Sequence, residues 1–223
     1  MATPLELEGS VALVAGGTGG LGRPISAELR RRGATVITVS RTAAAEPTHL
    51  VADLRDPGQV RRAVETTVER HGRLDVVVNA VGVVAFGDAV TASVDTVEEL
   101  FLTNTFAHVF LCTAALPRMS RGGVIVGLSG VIAEQNLPGM ATYGASKAAV
   151  RSFNEAFARE ARRAGVRVID ARPPHTETGL AGRALEGTPP RFPAGLTPEA
   201  VAARVVVAIA EGETDLPSTS FTA

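Results

Sequence analysis

The chain predicts an α/β fold: one domain in three layers, with a mostly parallel sheet doubly wound by helices on its two faces. Three observations carry that expectation. Short runs rich in valine and isoleucine alternate with longer helical stretches along the chain, as strands buried on both faces and joined by crossover helices do. A glycine-rich loop follows the first such run and opens a helix. The 223 residues, 45% hydrophobic and 20% charged, suit one domain that buries roughly 70% of its unfolded surface.

Taken in order, Val11–Ala15 is a short buried strand, and a helix follows over 21–32. Strands are expected at 34–39 and 50–52, then a helix over 57–70 and a strand over 74–78. A long helix covers 94–118, a fifth strand 123–128, and an alanine-rich helix runs from 141 to 164. A sixth strand at 166–171 and a helix at 198–211 complete the alternation. Parallel sheets bind ligands at the carboxyl ends of their strands. Segment 179–196, with Thr188, Pro189 and Pro190, reads as a mobile substrate lid over that end.

Composition excludes several classes. A net charge of −1 gives no electrostatic case for nucleic acid or an anionic membrane as partner. No unbroken apolar run reaches the length of a membrane span and no leader pattern opens the chain, so a cytoplasmic location is expected. Arginines cluster at 30–32 and 159–167, where helix C-termini favour cations. Cys112 is the only cysteine and reads as a core residue; the four histidines lack ligand spacing, so no metal is expected.

Chemistry concentrates in two places. The first is the loop Ala15-Gly16-Gly17-Thr18-Gly19-Gly20-Leu21-Gly22. Between a strand and a helix it has the Rossmann-type form: glycines allow a tight turn and a close approach to a pyrophosphate, which the helix N-terminus favours. Asp53, closing the third strand, either accepts from an adenine amino group or caps the next turn. The second strand leads into Ser40-Arg41 with no acid to hold a ribose 2′-hydroxyl; an arginine there suits a 2′-phosphate, so NADP(H) is favoured over NAD(H).

The second place is Tyr143, the only tyrosine, with Lys147 four residues on along the same helix face. A cation about 4 Å from the phenol contributes roughly 4 kcal/mol at an effective dielectric of ~20. That favours phenolate by at most about 3 pK units and predicts a tuned proton donor and acceptor. Val97, Leu100, Phe101 and Asn104 form a helical stripe that brings Asn104 to the buried face, where its amide needs partners.

Over about 10–215 these residues resemble the short-chain dehydrogenase/reductase family. Its T-G-x-x-x-G-x-G loop is matched by Ala15-Gly16 with Gly20 and Gly22, and its N-N-A-G segment by Asn79-Ala80-Val81-Gly82. Asn104 matches its helix asparagine, Tyr143 and Lys147 its Y-x-x-x-K, and Pro173 to Thr178 its P-G-x-x-x-T. The resemblance implies that Tyr143 protonates a substrate carbonyl while a hydride arrives from nicotinamide. It further implies that Lys147 holds the nicotinamide ribose, that Asn104 carries a relay water, that Thr178 contacts the carboxamide and that Leu54 lines the adenine pocket. It also implies a homodimer or homotetramer through the helices at 94–118 and 141–164.

One departure bears on the chemistry. The family's carbonyl-binding serine precedes the tyrosine by thirteen residues, and that position is Gly130. Ser129 lies one residue early, and a one-residue shift on a strand turns a side chain to the other face. Ser129 takes the catalytic place only if the strand has ended there or the following loop differs by one residue. The competing expectation is a nucleotide-binding relative with weak or no redox turnover, or a cyclase-type role. Ser129, Asp170 and His175 also follow hydrolase-triad order, but Val131 stands where a nucleophile elbow needs glycine.

Overall fold

Seven strands lie side by side in the order β3-β2-β1-β4-β5-β6-β7, and every adjacent pair is parallel. The computed structural model describes residues 3–221. The strands are β1 (Val11–Ala15), β2 (Thr35–Ser40), β3 (His49–Val51), β4 (Val76–Asn79), β5 (Val124–Leu128), β6 (Arg167–Ala171) and β7 (Asp215–Leu216). The helices are α1 (Gly22–Arg31), α2 (Pro57–His71), α3 (Val94–Leu100), α4 (Ala107–Ala115), α5 (Ala141–Ala161) and α6 (Pro198–Glu211). Apart from the helix expected over 94–118, the expected elements form with ends shifted by at most three residues; β7 is an addition to the six strands read from the sequence.

Alternation along the strands makes the three layers. Ala12, Val14, Val76, Val78, Val124, Val126 and Ile169 pack under α1 and α6. Leu13, Val77, Ile125 and Val168 pack under α2, α4 and α5. Helix ends follow local chemistry. Asp56 accepts from Gly58 N and Gln59 N with Pro57 at the first position, and left-handed Gly72 closes α2. Thr197, Pro198 and Gly212 do the same for α6.

The expected helix over 94–118 is interrupted. Residues Phe101–Phe106 form a π turn between α3 and α4, and Leu116–Arg118 close it as a 3₁₀ turn. The extra residue lets three successive polar side chains, Thr103, Asn104 and Thr105, face inward together. Their partners explain the distortion: Thr103 donates to Glu99 at 2.7 Å, and Thr105 donates to the Ser146 carbonyl at 2.9 Å. The stretch is long and apolar enough by composition to span a membrane, but half of its most apolar window is buried inside the protein, where α4 packs on α2 and α5.

The lid corrects a second expectation. Rather than a free loop, 179–196 contains a 3₁₀ turn at Ala181–Arg183 and is latched by backbone bonds. Leu185 N donates to Val84 O at 2.8 Å and Phe86 N to Glu186 O at 2.9 Å; Thr176 bridges Leu196. Glu186 also accepts from Ser93 N and Oγ.

Candidate active site

The strand order reverses between β1, which continues to β2, and β4 on its other side, so a crevice opens at their carboxyl ends. A cavity of about 290 Å³ lies there, bordered by Gly20, Leu21, Gly82, Ser129, Tyr143, Lys147, Pro173 and Thr178. Those eight of the expected site residues therefore meet. The other nine expected contacts, Ser40, Arg41, Asp53, Leu54, Gly16, Thr18, Gly22, Asn79 and Asn104, do not border it.

The glycine loop fits a dinucleotide in two ways. Helix α1 starts without a side-chain cap and without an acid in its first turn; Arg23 N and Ile25 N are taken by the Gly19 and Leu21 carbonyls and Pro24 has no N–H, so an anion would be met by the dipole end of the helix and the Gly20–Gly22 turn. The glycines themselves serve close packing. A Cβ on Gly22 would stand 2.0 Å from Gly16 O, and one on Gly20 would stand 2.5 Å from Thr178 Cβ. Gly16, at φ +73, turns the chain against the Ala80 backbone. Thr18 contributes its carbonyl to Arg23.

At the far end, Arg41 is exposed at the tip of β2, outside every ion pair among the described residues. Ser40 Oγ donates to Thr42 O within the same turn. Asp53 takes the capping alternative: it accepts from Arg55 N and holds the Arg55 guanidinium, which also binds Glu99. Leu54 is buried in the core below α2, 4% exposed, and does not border the cavity. Asn79 is a further correction. Its side chain points away from the cavity, accepting from Val81 N at 3.0 Å and meeting His108 Nδ1 at 3.2 Å, so it shapes the 79–82 turn from behind.

Tyr143 and Lys147 sit one turn apart at the start of α5. The phenol is half-buried and only burial acts on it, pushing its pKa up to about 12. Lys147 is buried, and burial pushes its ammonium down to about 8 against an upward pull from Asp170. Its Nζ donates to Leu128 O at 2.9 Å. The lowered phenol expected from an adjacent cation is thus not found, because burial sets the direction of its shift. A phenol held neutral at physiological pH is a proton donor.

Asn104 links the parts. Its Oδ1 accepts from Val83 N at 2.8 Å, and its Nδ2 donates to Val83 O at 3.0 Å and Ser146 Oγ at 2.9 Å. Ser146 Oγ in turn donates to Tyr143 O at 2.7 Å. Gly82 fills the gap between Asn104 and Lys147: a Cβ there would be 3.3 Å from Asn104 Oδ1 and 3.4 Å from Lys147 Nζ.

Ser129 does not take the catalytic place. It keeps the parity of Ile125 and Gly127, is wholly buried, and donates to Asp170 Oδ1 at 2.7 Å. Asp170 also accepts from Asn154, which bonds His108 Nε2 at 2.7 Å. Burial holds His108 down to about 4, so it is a neutral packing residue. No histidine joins Ser129 and Asp170; His175 instead stacks on Phe192, with centroids 4.6 Å apart. The hydrolase ordering is accidental.

Gly130 has φ +78 and ψ 162, a conformation close to glycine-only, and a Cβ there would meet open space. Restoring a serine therefore strains the backbone without a clash. Gly130→Ser is expected to lower stability by about 1–2 kcal/mol, checked by thermal unfolding; an unchanged midpoint would mean that the loop has relaxed.

Two groups of residues escaped the sequence. Arg172 ties Glu134 of the 130–140 loop to Asp170 and, at 2.8 Å, to Asp215 of β7, while Glu134 accepts from Ser218 Oγ at 2.6 Å. Val84, Phe86, Ile132, Met140 and Phe192 form an apolar wall beside Tyr143. They lie in three connecting segments with no shared period, so no pattern joins them before folding.

A family model described as short chain dehydrogenase matches residues 10–188. Hydroxynaphthalene reductase arp2 of Aspergillus fumigatus is 31% identical over 180 residues, 74% of this chain and 66% of its own length. Versicolorin reductase 1 of Dothistroma septosporum is 32% identical over 171 residues, 70% of this chain and 65% of its own. The match thus spans just under two thirds of these two enzymes. A Burkholderia cenocepacia short chain dehydrogenase solved in complex with NADP superposes with a TM-score of 0.82 at 25% identity, covering 96% of this chain and 98% of that one. Thermoplasma acidophilum aldohexose dehydrogenase shares the fold with a TM-score of 0.84 at 23% identity, covering 96% and 94%.

Proposed function

The chain belongs to the short-chain dehydrogenase/reductase family, and from that membership we propose that it moves a hydride between a nicotinamide dinucleotide and a carbonyl or alcohol substrate. The carrying observation is Tyr143, whose phenol borders the same cavity as the glycine loop and has burial as the one influence on its proton. In the reducing direction the carbonyl carbon accepts a hydride from bound reduced nicotinamide, and the oxygen takes the Tyr143 proton to give the alcohol. Lys147, one turn further along α5 with its Nζ on Leu128 O, reaches the nicotinamide ribose. Asn104 positions both through Val83 and Ser146. With Ser129 committed to Asp170, the tyrosine works without a second side-chain donor from this strand. Oxidation of NADPH across a panel of aldehydes and ketones tests the reading; no turnover of any carbonyl would sink it.

The dinucleotide in this proposal is NADP(H). Arg41 is exposed at the tip of β2, no acid ends that strand, and Asp53, which feels the charge of Arg41, is held by Arg55. The NADP complex of the Burkholderia cenocepacia relative supports that choice. Arg41→Ala is expected to raise the NADPH KM about tenfold, as the loss of one charge-assisted contact does, and to leave the NADH KM nearly unchanged. Equal changes for the two nucleotides would reverse the assignment.

Two copies pair, in the same reading, through the outer faces of 94–118 and 141–161. Phe106, 48% exposed, lies 6.3 Å from Phe110 there. Gly130 motivates one rival: a family member that retains nucleotide without turning over substrate. Nucleotide bound by the purified protein, together with silence across the carbonyl panel, would favour it.

A further inference from the structure

We propose that the substrate is an uncharged ketone carried on a flat ring, with that ring seated against Phe192; this rests on the hydride-transfer reading of the cleft. The wall facing Tyr143 is apolar: Val84, Phe86, Ile132 and Met140 are buried, and Leu180 and Phe192 pack on them. Its aromatic side is layered. His175 covers Phe192 at 4.6 Å between centroids with 23° between planes, and Phe86 tilts against the same ring at 6.1 Å and 54°. The Phe192 ring is thus steadied by two aromatic neighbours, while it still borders the cavity. Aromatic surfaces gain most from offset or edge contact with a second ring.

Charge excludes the main alternative. The ionisable groups bordering the cavity are Tyr143, Lys147, His175 and Arg183. Lys147 Nζ is held by Leu128 O, and His175 Nε2 lies 3.4 Å from Glu177. Arg183 reaches Thr178 O, on the side where Thr178 packs over Gly20 of the glycine loop. The two cations that border the cavity are thus each tied to a backbone carbonyl, Leu128 O and Thr178 O, and a carboxylate buried against the apolar wall without a partner is heavily penalised.

Shape points the same way. The wall is held in place by the fold itself, because the lid is latched to residues 84–86 by the Leu185 and Phe86 backbone bonds. Gly187 packs so tightly on Phe86 that a Cβ would stand 1.9 Å from its carbonyl oxygen. A fixed slot favours a rigid ligand, which loses little conformational freedom on entering. Gly130 borders the same cavity as Tyr143, and its missing side chain takes no room from a ligand there.

The test compares 1-indanone, 2-nonanone and 4-oxononanoate, ketones of equal carbon count, as substrates with NADPH. The ring ketone is expected to exceed the keto acid in kcat/KM by at least about tenfold, and Phe192→Ala to cost 1-indanone roughly tenfold more than it costs 2-nonanone. A preference for the keto acid, or equal losses for the two neutral ketones, overturns the assignment. Calorimetric binding of 1-indanone to NADPH-loaded protein separates this from the parent reading. Binding that Phe192→Ala abolishes, with no turnover of any ketone, keeps the ring site and removes hydride transfer. Absence of ring binding removes the ring site even where other ketones are reduced.

Discussion

Tyr143→Phe is expected to lower turnover by roughly 10³-fold, within the range that a positioned proton donor contributes, while the nucleotide dissociation constant stays nearly unchanged. The side chain is half-buried and its ring packs with the apolar cluster of Val84, Phe86, Ile132 and Met140. Phenylalanine keeps that packing. It removes a hydroxyl on which burial alone acts, so no protein hydrogen bond is orphaned by the change. Steady-state kinetics alongside nucleotide titration makes the comparison. Turnover within a few-fold of the parent would remove Tyr143 from the chemistry, since it is the only tyrosine in the chain.

Lys147→Met is expected to abolish most turnover and, independently, to change how stability depends on pH. In the folded protein burial lowers the ammonium from 10.5 to about 8. The unfolded chain therefore binds more protons than the native one between about 8 and 10.5, so stability rises with pH across that window. Below about 8 the lysine is charged in both states and burial opposes folding in full. The parent should gain on Lys147→Met by about 3 kcal/mol between pH 7 and pH 10.5, since each tenfold loss of proton affinity on folding corresponds to about 1.4 kcal/mol. The comparison cancels the pH-independent effect of leaving Leu128 O without its donor. Denaturant unfolding of both proteins at the two pH values measures it. Parallel pH profiles would show that the lysine is not strained by its burial.

Much of the frame was legible because it is periodic. Val11–Ala15, the glycine loop and the Val/Ile runs are local patterns, and the parallel sheet is their direct result. The π turn was not, since an added residue inside a helix leaves the apolar spacing of its flanks intact. Thr103-Asn104-Thr105 was the one available signal: three adjacent polar residues inside an apolar helix cannot share one α-helical face. β7 has two residues, below any strand period. The lid latch is made of backbone bonds, to which side-chain identity gives no clue. Ser129 was decided by parity, which held through the end of β5. Its neighbour Gly130 showed what sequence counting alone cannot: the serine was lost together with the backbone angles that would have presented it.

The Arg172 cluster bears on how the protein comes into being on the ribosome. Glu134, in the loop that shapes one side of the cavity, is tied to Arg172 and Ser218, and Arg172 in turn bonds Leu216 O and Asp215 of β7. Every residue named for chemistry has been synthesised by Thr178, yet the braces that fix the 130–140 loop arrive some forty residues later. The emerging chain therefore carries its tyrosine and lysine before it carries a finished cleft.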